Sequence, residues 1–219
     1  MKLPLLFEGL DPDVVEGVVA GSRTRKFGRG EVVFHEGDPG DSIQVIVRGH
    51  FALRVTTTAG DVCLFRVYGP GDTFGRVAVA PIDAVREMTV VSLEEGETFE
   101  LFRPQLDELR AAHPRVNDAI IAMMGRELYR GSVRLLEALY VDADRRVRRR
   151  LLELGEMYRD GDAESVVIPM TQADIAALAG ASRATVNRVL GYEAQHGAIE
   201  RRRGKIMLLD ATAIADRAR

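Results

Sequence analysis

Short apolar runs separated by turn residues occupy the first half of the chain, after a short helical opening. Between residues 23 and 103, glycine, proline and aspartate separate these runs, as in Gly37–Asp41 and Gly69–Asp72. Evenly spaced short runs with such turns are typical of a small antiparallel barrel or sandwich. The predicted strands are Glu31–Phe34, Ile43–Val47, Phe51–Thr56, Val62–Val67, Met88–Ser92 and Thr98–Phe102.

From about Arg103 onward, the apolar positions follow a helical period. Pro104 fits the first turn of a helix over Gln105–Ala112, and a second helix starts near Pro114 and runs towards Tyr140. Steps of three and four residues put most apolar residues of the second helix on one stripe. They are Val116, Ile120, Met123, Met124, Leu128, Leu135, Leu136 and Leu139. Such a stripe packs either on a twin helix in a dimer, which we favour, or on the protein's own barrel.

A polar break at Tyr140–Asp144 predicts a hinge, with Asp142 as a candidate N-cap for a helix over Arg145–Arg159. The start of this helix is rich in arginine, which we interpret as a solvated face. These changes of pattern divide the chain into a β-barrel domain over residues 1–113, a long helix and hinge over residues 114–141, and a C-terminal domain over residues 142–219.

Residues 171–190 match two helices joined by a tight turn. Thr171 can cap the first helix, Gly180 fits the turn, and Ser182 can cap the second helix. Aliphatic residues take one side of the second helix and polar residues take the other. The polar side consists of Arg183, Thr185, Asn187 and Arg188. This arrangement predicts a helix-turn-helix.

Downstream, a Gly-Lys turn joins two strand-like runs, with Arg203 and Lys205 at its tip. Such a hairpin is typical of a β-wing whose cations contact DNA phosphates. Residues 145–219 carry 14 Lys/Arg and 10 Asp/Glu, whereas residues 1–144 carry 16 and 23. A basic C-terminal part beside an acidic N-terminal part favours a DNA-binding domain joined to a sensing domain. A helical hairpin with a charged loop is the alternative interpretation.

The composition argues against several other classes of protein. The sequence contains no run of about 18 apolar residues, so no membrane span is predicted. The N-terminus lacks the features of a signal peptide, so we expect a cytoplasmic protein. The single cysteine, Cys63, is expected to be a small buried residue. The four histidines show no metal-ligand spacing, so no metal site is predicted. Because no catalytic motif is present, we predict that the protein is not an enzyme.

The segment Ala181–Arg188 resembles the recognition-helix signature of the cAMP receptor protein/FNR family of bacterial regulators, and the resemblance extends over nearly the whole chain. It implies an α+β fold: an N-terminal antiparallel β-barrel of the cyclic-nucleotide-binding jelly-roll type, a long dimerisation helix and a C-terminal winged helix-turn-helix. By this match, Arg183 and Arg188 would contact base edges, most simply of guanine. Ala184 departs from the family, since many members carry a glutamate there, so specificity at this position should differ.

The resemblance also implies contacts to the DNA backbone. Ser182, Thr185 and Lys205 would contact phosphates. Further candidate DNA-binding residues are Thr171, Gln172, Asn187 and Arg203.

The turn motifs Gly37–Asp41, Gly49 and Gly69–Gly75 resemble the cyclic-nucleotide-binding domain of the same family. In cAMP-binding members, glycine amides and one arginine hold the cyclic phosphate, since an anion needs converging N–H donors and a guanidinium. The candidate effector-binding residues are Gly75, Arg76, Arg86, Glu87 and Ser132.

Two of these positions depart from the cAMP-binding pattern. Arg76 replaces the glutamate that holds the ribose, and Glu87 replaces a hydroxyl residue beside the phosphate. Arg76 and Glu87 carry opposite charges, so they are candidates to pair with each other. In the family, an adenine-contacting pair falls at Gly131-Ser132, so only the serine hydroxyl remains. We therefore expect that cAMP is not bound tightly; a different ligand, weakened cAMP binding and a pocket without an effector stay open.

The resulting hypothesis is a homodimeric, sequence-specific transcription regulator that binds a pseudo-palindromic operator in double-stranded DNA. RNA polymerase is a further candidate partner. The alternatives are a cAMP-responsive regulator with weakened nucleotide affinity and a cyclic-nucleotide sensor module that does not bind DNA.

Overall fold

The computed structural model describes residues 4–58, 60, 62–76, 84–161 and 163–219. The chain divides into two units: Met1–Val55 with Phe65–Arg130, and Thr56–Leu64 with Gly131–Arg219. Because the boundary falls inside a long helix, that helix contributes to both units. Among the described residues, no helix has the length and apolar character needed to cross a membrane.

Two four-stranded sheets with antiparallel pairing form the N-terminal barrel. The first sheet has the order β1 (Arg23–Phe27), β8 (Gly96–Phe102), β3 (Ser42–Arg48), β6 (Thr73–Phe74). The second has the order β2 (Val32–Phe34), β7 (Thr89–Ser92), β4 (Phe51–Thr56), β5 (Val62–Tyr68). A 3-10 helix over Leu5–Phe7 and α1 (Pro12–Gly21) precede these strands.

All six predicted strands are present, but β1 and β6 were missed. Most of β1 is polar, and only Phe27 is buried in it, so no apolar alternation marks it as a strand. It forms because its backbone pairs with β8 from Arg23 opposite Glu100 to Phe27 opposite Gly96. Strand β6 has two residues, which is too short to show any period.

Packed aromatic rings fill one core of the barrel. The rings of Phe27 and Phe51 meet edge to face with centroids 5.6 Å apart, and Phe74 lies 5.5 Å from Phe51 and 5.9 Å from Tyr68. A second apolar cluster contains side chains of β3, β8 and the helices that follow the barrel. These two cores contain buried apolar side chains of the barrel. Burial of apolar surface is the main favourable contribution to the free energy of folding.

Helices α2 (Arg103–Ala112) and α3 (Arg115–Tyr140) follow the barrel. Pro104 lies in the first turn of α2, as predicted. The C-terminal unit contains α4 (Ala143–Tyr158), α5 (Gln172–Ala179), α6 (Arg183–Gln195), α7 (Ala211–Arg217) and a three-stranded antiparallel sheet of β10 (Ile199–Arg202), β11 (Lys205–Leu208) and β9 (Val166–Ile168).

Helix α3 has two apolar faces, and most residues of the predicted stripe lie on the exposed one. Val116, Ile120 and Met123 are buried in the second core of the barrel. A different set is between 53 and 75 % exposed and lies on other sides of the helix: Ile121, Met124, Leu128, Leu135, Leu136 and Leu139. Neighbours such as Met123 and Met124 separate because successive helical residues turn by about 100°.

The arginines of α4 are not a solvated face, so that interpretation is also wrong. Arg148 pairs with Glu193, which is completely buried, at 2.7 Å, and Arg217 of α7 pairs with the same carboxylate at 2.5 Å. Arg149 and Arg150 both pair with the carboxylate of Glu137 on α3. Opposite charges 12, 13, 24 or 45 positions apart in the chain meet here, which no local pattern reveals.

We predict that Gly49→Ala destabilises the protein strongly. Gly49 has φ = +81°, and a Cβ there would lie 2.7 Å from the Glu95 carbonyl oxygen and from the Gly96 Cα. A left-handed backbone and an overpacked contact together cost about 2–5 kcal/mol. Chemical denaturation measures the free energy of unfolding.

Gly37→Ala is the matched control for Gly49→Ala. Gly37 has φ = +88°, but nothing lies within 4 Å of its Cβ position. It should cost only about 1–2 kcal/mol, the backbone contribution. Equal losses for the two variants would contradict the close approach between Gly49 and the Glu95–Gly96 backbone.

Candidate nucleic-acid interface and effector pocket

Two predicted helix caps and the predicted turn glycine position the helix-turn-helix. The Thr171 hydroxyl accepts a hydrogen bond from the Asp174 amide at 3.2 Å, and the Asp174 carboxylate accepts one from the Thr171 amide at 2.8 Å. Gly180 ends α5 with φ = +56° in the left-handed region. The Ser182 hydroxyl caps α6 by accepting a hydrogen bond from the Thr185 amide at 3.1 Å.

Asp142 caps α4 as predicted. Its carboxylate accepts a hydrogen bond from the Arg145 amide, and this bond lowers the pKa of the Asp142 carboxyl.

Helix α6 separates its residues into a buried and an exposed face. Val186, Val189 and Leu190 are buried in the C-terminal unit. The exposed residues of its first two turns are Arg183, Ala184, Asn187 and Arg188, with Thr185 half-buried beside them. A helix of this kind can lay its polar face in the major groove, which is wide enough to admit it.

A cleft of about 470 Å³ lies between α6 and the hairpin of β10 and β11. Gly204 forms the hairpin turn with φ = +75°. The polar and charged residues that line the cleft are Thr171, Gln172, Arg183, Asn187, Arg201, Arg202, Arg203 and Lys205. Five of these eight are cations, so the cleft suits a polyanion.

The cleft contains six of the nine predicted DNA-binding residues. Ser182, Thr185 and Arg188 do not line it. Ser182 and Thr185 lie at the start of α6, where their hydroxyl oxygens are 2.9 Å apart.

Arg188 is held on another side of α6. Its Nη1 and Nη2 atoms donate to the two carboxylate oxygens of Asp144 at 2.6 and 2.5 Å. This hydrogen-bonded pair raises the pKa of the Arg188 guanidinium above its usual value. Arg188 stays 65 % exposed, so the pair lies at the surface.

Arg201 and Arg202 also line the cleft, although they are not among the predicted DNA-binding residues. Arg201 donates to the side-chain oxygen of Asn187 at 3.4 Å. Arg202 pairs with Glu200 at 2.8 Å, and this pair raises the pKa of Arg202 and lowers that of Glu200. The signal was present, since three consecutive arginines precede the wing turn.

A smaller cavity of about 140 Å³ lies in the barrel and brings four predicted effector residues together. It is lined by Phe34, Leu53, Tyr68, Phe74, Gly75, Arg76, Arg86, Glu87 and Met88. Residues 77–83, which connect Gly75 towards Arg86, lie outside the described residues. The fifth predicted residue, Ser132, is exposed on the part of α3 that belongs to the C-terminal unit.

Arg86 is 4 % exposed and is hydrogen-bonded to the barrel. Its Nη1 donates to the carbonyl oxygens of Ser42 and Gly75 at 2.8 and 3.1 Å, and its Nη2 donates to the Ser42 hydroxyl at 2.8 Å. The guanidinium also stacks over the Phe34 ring at 4.3 Å. Burial lowers the pKa of Arg86, and the neighbouring carboxylates, chiefly that of Asp41, oppose this effect.

Arg76 does not pair with Glu87, so that hypothesis is wrong. Its guanidinium lies 3.5 Å from the carboxylate of Glu127 on α3, which also pairs with Arg66. Glu87 is exposed. The sequence could not show this, because Glu127 lies 51 positions from Arg76 and only the packing of α3 brings it near.

Two further expectations concern Cys63 and metal binding. Cys63 is a free cysteine and is only partly buried, so the prediction of a buried residue is wrong. Within the described ranges, no three His, Cys, Asp or Glu side chains converge on a position that could hold a metal ion.

Residues 24–113 match the cyclic nucleotide-binding domain family, and residues 145–217 match the Crp-like helix-turn-helix domain family. A CRP-like cAMP-activated global transcriptional regulator of Mycobacterium tuberculosis is 29% identical over 216 residues, which cover 98% of this chain and 96% of that protein. The catabolite activator protein of Thermus thermophilus is 28% identical, with a TM-score of 0.56 and 98% of each chain covered.

A further solved structure, FixK2 from Bradyrhizobium japonicum, is similar in fold. Its TM-score is 0.78 at 19% identity, and the alignment covers 89% of this chain and 96% of that chain.

A jelly-roll barrel, a long helix and a C-terminal helix-turn-helix with a cationic cleft define a two-domain DNA-binding regulator. Since the two matched domains together span most of the chain, the chain belongs to the cAMP receptor protein/FNR family of transcription regulators. The predicted fold class is thereby confirmed. The prediction that the protein is not an enzyme is confirmed as well, because the matched domains and relatives are those of transcription regulators.

Proposed function

We propose that this regulator acts as a homodimer. Helix α6 recognises the bases of a pseudo-palindromic operator, and the wing, the hairpin of β10 and β11, binds the DNA phosphates. The cationic cleft between α6 and the wing carries this proposal. Its five cations face one opening beside a helix whose polar residues are exposed. The alternative of a sensor module without DNA binding is disfavoured, because residues 145–217 match a DNA-binding domain family.

Base reading is assigned to Arg183 and Arg188, with Asn187 beside them. An exposed arginine at the start of a recognition helix can donate two hydrogen bonds to guanine O6 and N7. Arg183 is exposed in the first turn of α6 and lines the cleft. Arg188 lies on the same helix but is paired with Asp144, so reading a base requires that this pair opens.

Phosphate contacts are assigned to residues that line the cleft and to the two hydroxyl residues at the start of α6. Short hydroxyl side chains and wing cations commonly fix the register of a protein on DNA without reading sequence. The assigned residues are Thr171, Gln172, Ser182, Thr185, Arg203 and Lys205.

The exposed face of α3 supports the homodimer. Ile121, Met124, Leu128, Leu135 and Leu139 recur at steps of three, four or seven residues and are all more than half exposed. Apolar residues at this spacing suit pairing with a second helix, and monomers rarely expose a large apolar patch. In a two-fold dimer, the recognition helices would lie about 34 Å apart, one turn of DNA.

The domain assignment follows the sequence boundaries: an effector domain over residues 1–113, a dimerisation helix and hinge over 114–141, and a DNA-binding domain over 142–219. The matches over 24–113 and 145–217 support it. Because a transcription regulator works at DNA, we place the protein in the cytoplasm, with RNA polymerase as a further partner.

We infer that the barrel does not bind cAMP tightly. The cavity of about 140 Å³ is smaller than the roughly 300–1,000 Å³ of typical small-molecule sites. Arg76 stands where the resemblance expects a ribose-binding glutamate, and an arginine cannot accept a hydrogen bond from a hydroxyl. A cAMP-responsive regulator with weakened affinity is the second candidate, favoured by the cAMP-activated relative of M. tuberculosis.

We predict that Arg183→Ala costs about 1–3 kcal/mol of discrimination between operator and random DNA. Lys205→Ala should instead weaken binding to both DNAs equally and lower the salt slope by about one per contact. Fluorescence anisotropy over a range of salt concentrations measures both effects. An equal loss on operator and random DNA for Arg183→Ala would contradict the base-reading role.

The dimer is tested by Leu128→Glu and Leu135→Glu on the exposed face of α3. Burying an unpaired charge costs about 3–5 kcal/mol, so the dimer should weaken at least about 100-fold. Leu209→Glu is the control, since Leu209 is also exposed but lies outside α3. Sedimentation equilibrium gives the association state. A dimer that survives both α3 substitutions unchanged would exclude this face as the interface.

The effector inference is tested by calorimetry with cAMP. The unaltered protein should show no dissociation constant at or below the micromolar range. The variant Arg76→Glu, Glu87→Ser, Glu127→Gln should bind at least about tenfold more tightly, because it restores the ribose acceptor and removes repelling carboxylates. The third change is needed because Glu127 would otherwise face the new carboxylate. A micromolar or tighter constant for the unaltered protein refutes the inference.

A further inference from the structure

Two arginines of the recognition helix have different surroundings. Arg183 lines the cationic cleft, and in the described part of the chain no carboxylate lies within salt-bridge distance of it. Arg188, five residues further along the helix, has both terminal nitrogens bonded to the Asp144 carboxylate. Only one of the two assigned base-reading side chains is therefore available without a change of partner.

The Asp144 carboxylate accepts hydrogen bonds from the two terminal nitrogens of Arg188 that a base would also need. A guanine offers two acceptors, O6 and N7, to a pair of arginine N–H donors. Asp144 offers two oxygens to Nη1 and Nη2, and a charge-assisted bidentate pair is stronger than a neutral one. Base and carboxylate therefore compete for the same donors of Arg188.

Asp144 is fixed in the first turn of α4. The preceding cap residue, Asp142, accepts from the Arg145 amide at 2.9 Å. Arg146 donates to the carbonyl oxygen of Val141 at 2.6 Å and to that of Gly180 at 2.9 Å. These bonds tie the start of α4 to the turn before α6. An acidic residue in a first helical turn is also stabilised by the helix dipole, so Asp144 keeps its position when Arg188 leaves.

We propose that Asp144 is an internal competitor for Arg188, which holds this side chain away from DNA until a guanine at the correct position replaces the carboxylate. This inference rests on the proposed base-reading function of α6. It makes Asp144 a positioning residue that lowers operator affinity. It also suppresses binding to random DNA, where a released Arg188 would pair with phosphates.

The test uses Asp144→Asn, Arg188→Ala and the double variant in the full-length protein. Asp144→Asn keeps the shape of the side chain and removes the charge that holds Arg188. We expect it to tighten operator binding about three- to tenfold, and to steepen the salt slope on random DNA by about 0.9 per released arginine. Binding is measured by anisotropy on an operator selected with the unaltered protein, and thermal unfolding checks that the fold is intact.

Two comparisons separate competition for Arg188 from a general effect of charge. The gain from Asp144→Asn should disappear when Arg188 is alanine, since nothing is then left to release. Glu164→Gln removes one exposed carboxylate from the same unit and should leave operator affinity within about twofold. A gain of equal size with and without Arg188, or no gain at all, overturns the inference.

The outcomes also distinguish this inference from the proposed function. If Arg188→Ala leaves operator discrimination unchanged, the assigned base-reading role of Arg188 fails. If Arg188→Ala weakens the operator complex but Asp144→Asn does not tighten it, the role of Asp144 alone fails.

Discussion

The exposed polar face of α6 depends on the ion pairs that the buried carboxylate of Glu193 forms. This carboxylate lies on the inner side of α6 and pairs with Arg148 of α4 and Arg217 of α7. Removing one partner of a buried ion pair leaves an uncompensated charge, which is strongly destabilising. Together with the buried Val186 and Val189, these pairs fix the rotation of α6 about its axis, so its polar face points outward.

Arginine has two separate roles in the C-terminal unit. Arg146, Arg148 and Arg150 bind carbonyls and carboxylates inside the unit, whereas the wing arginines line an open cleft. A delocalised guanidinium with five donors suits both roles, because it can satisfy several acceptors at once. The net positive charge of this part of the chain therefore overstates the charge that is available to DNA.

Local signals in the sequence were sufficient for the helix-turn-helix. Thr171, Ser182 and Asp142 cap their helices because each accepts a hydrogen bond from an amide three residues away. Gly180 adopts a left-handed conformation that favours glycine. The strands were predicted where apolar runs marked them, and β1 was missed because its pairing with β8 supplies the stability that its own side chains do not.

The sequence by itself determined the order of the elements and their caps, because these depend on residues within a few positions of each other. Tertiary structure alone decided which charges pair. Glu127 meets Arg76 across 51 positions and Asp144 meets Arg188 across 44, and neither contact follows from local spacing. Ion pairs form between groups that are close in space. The packing of the helices therefore decides which arginines are paired with a carboxylate and which can contact DNA.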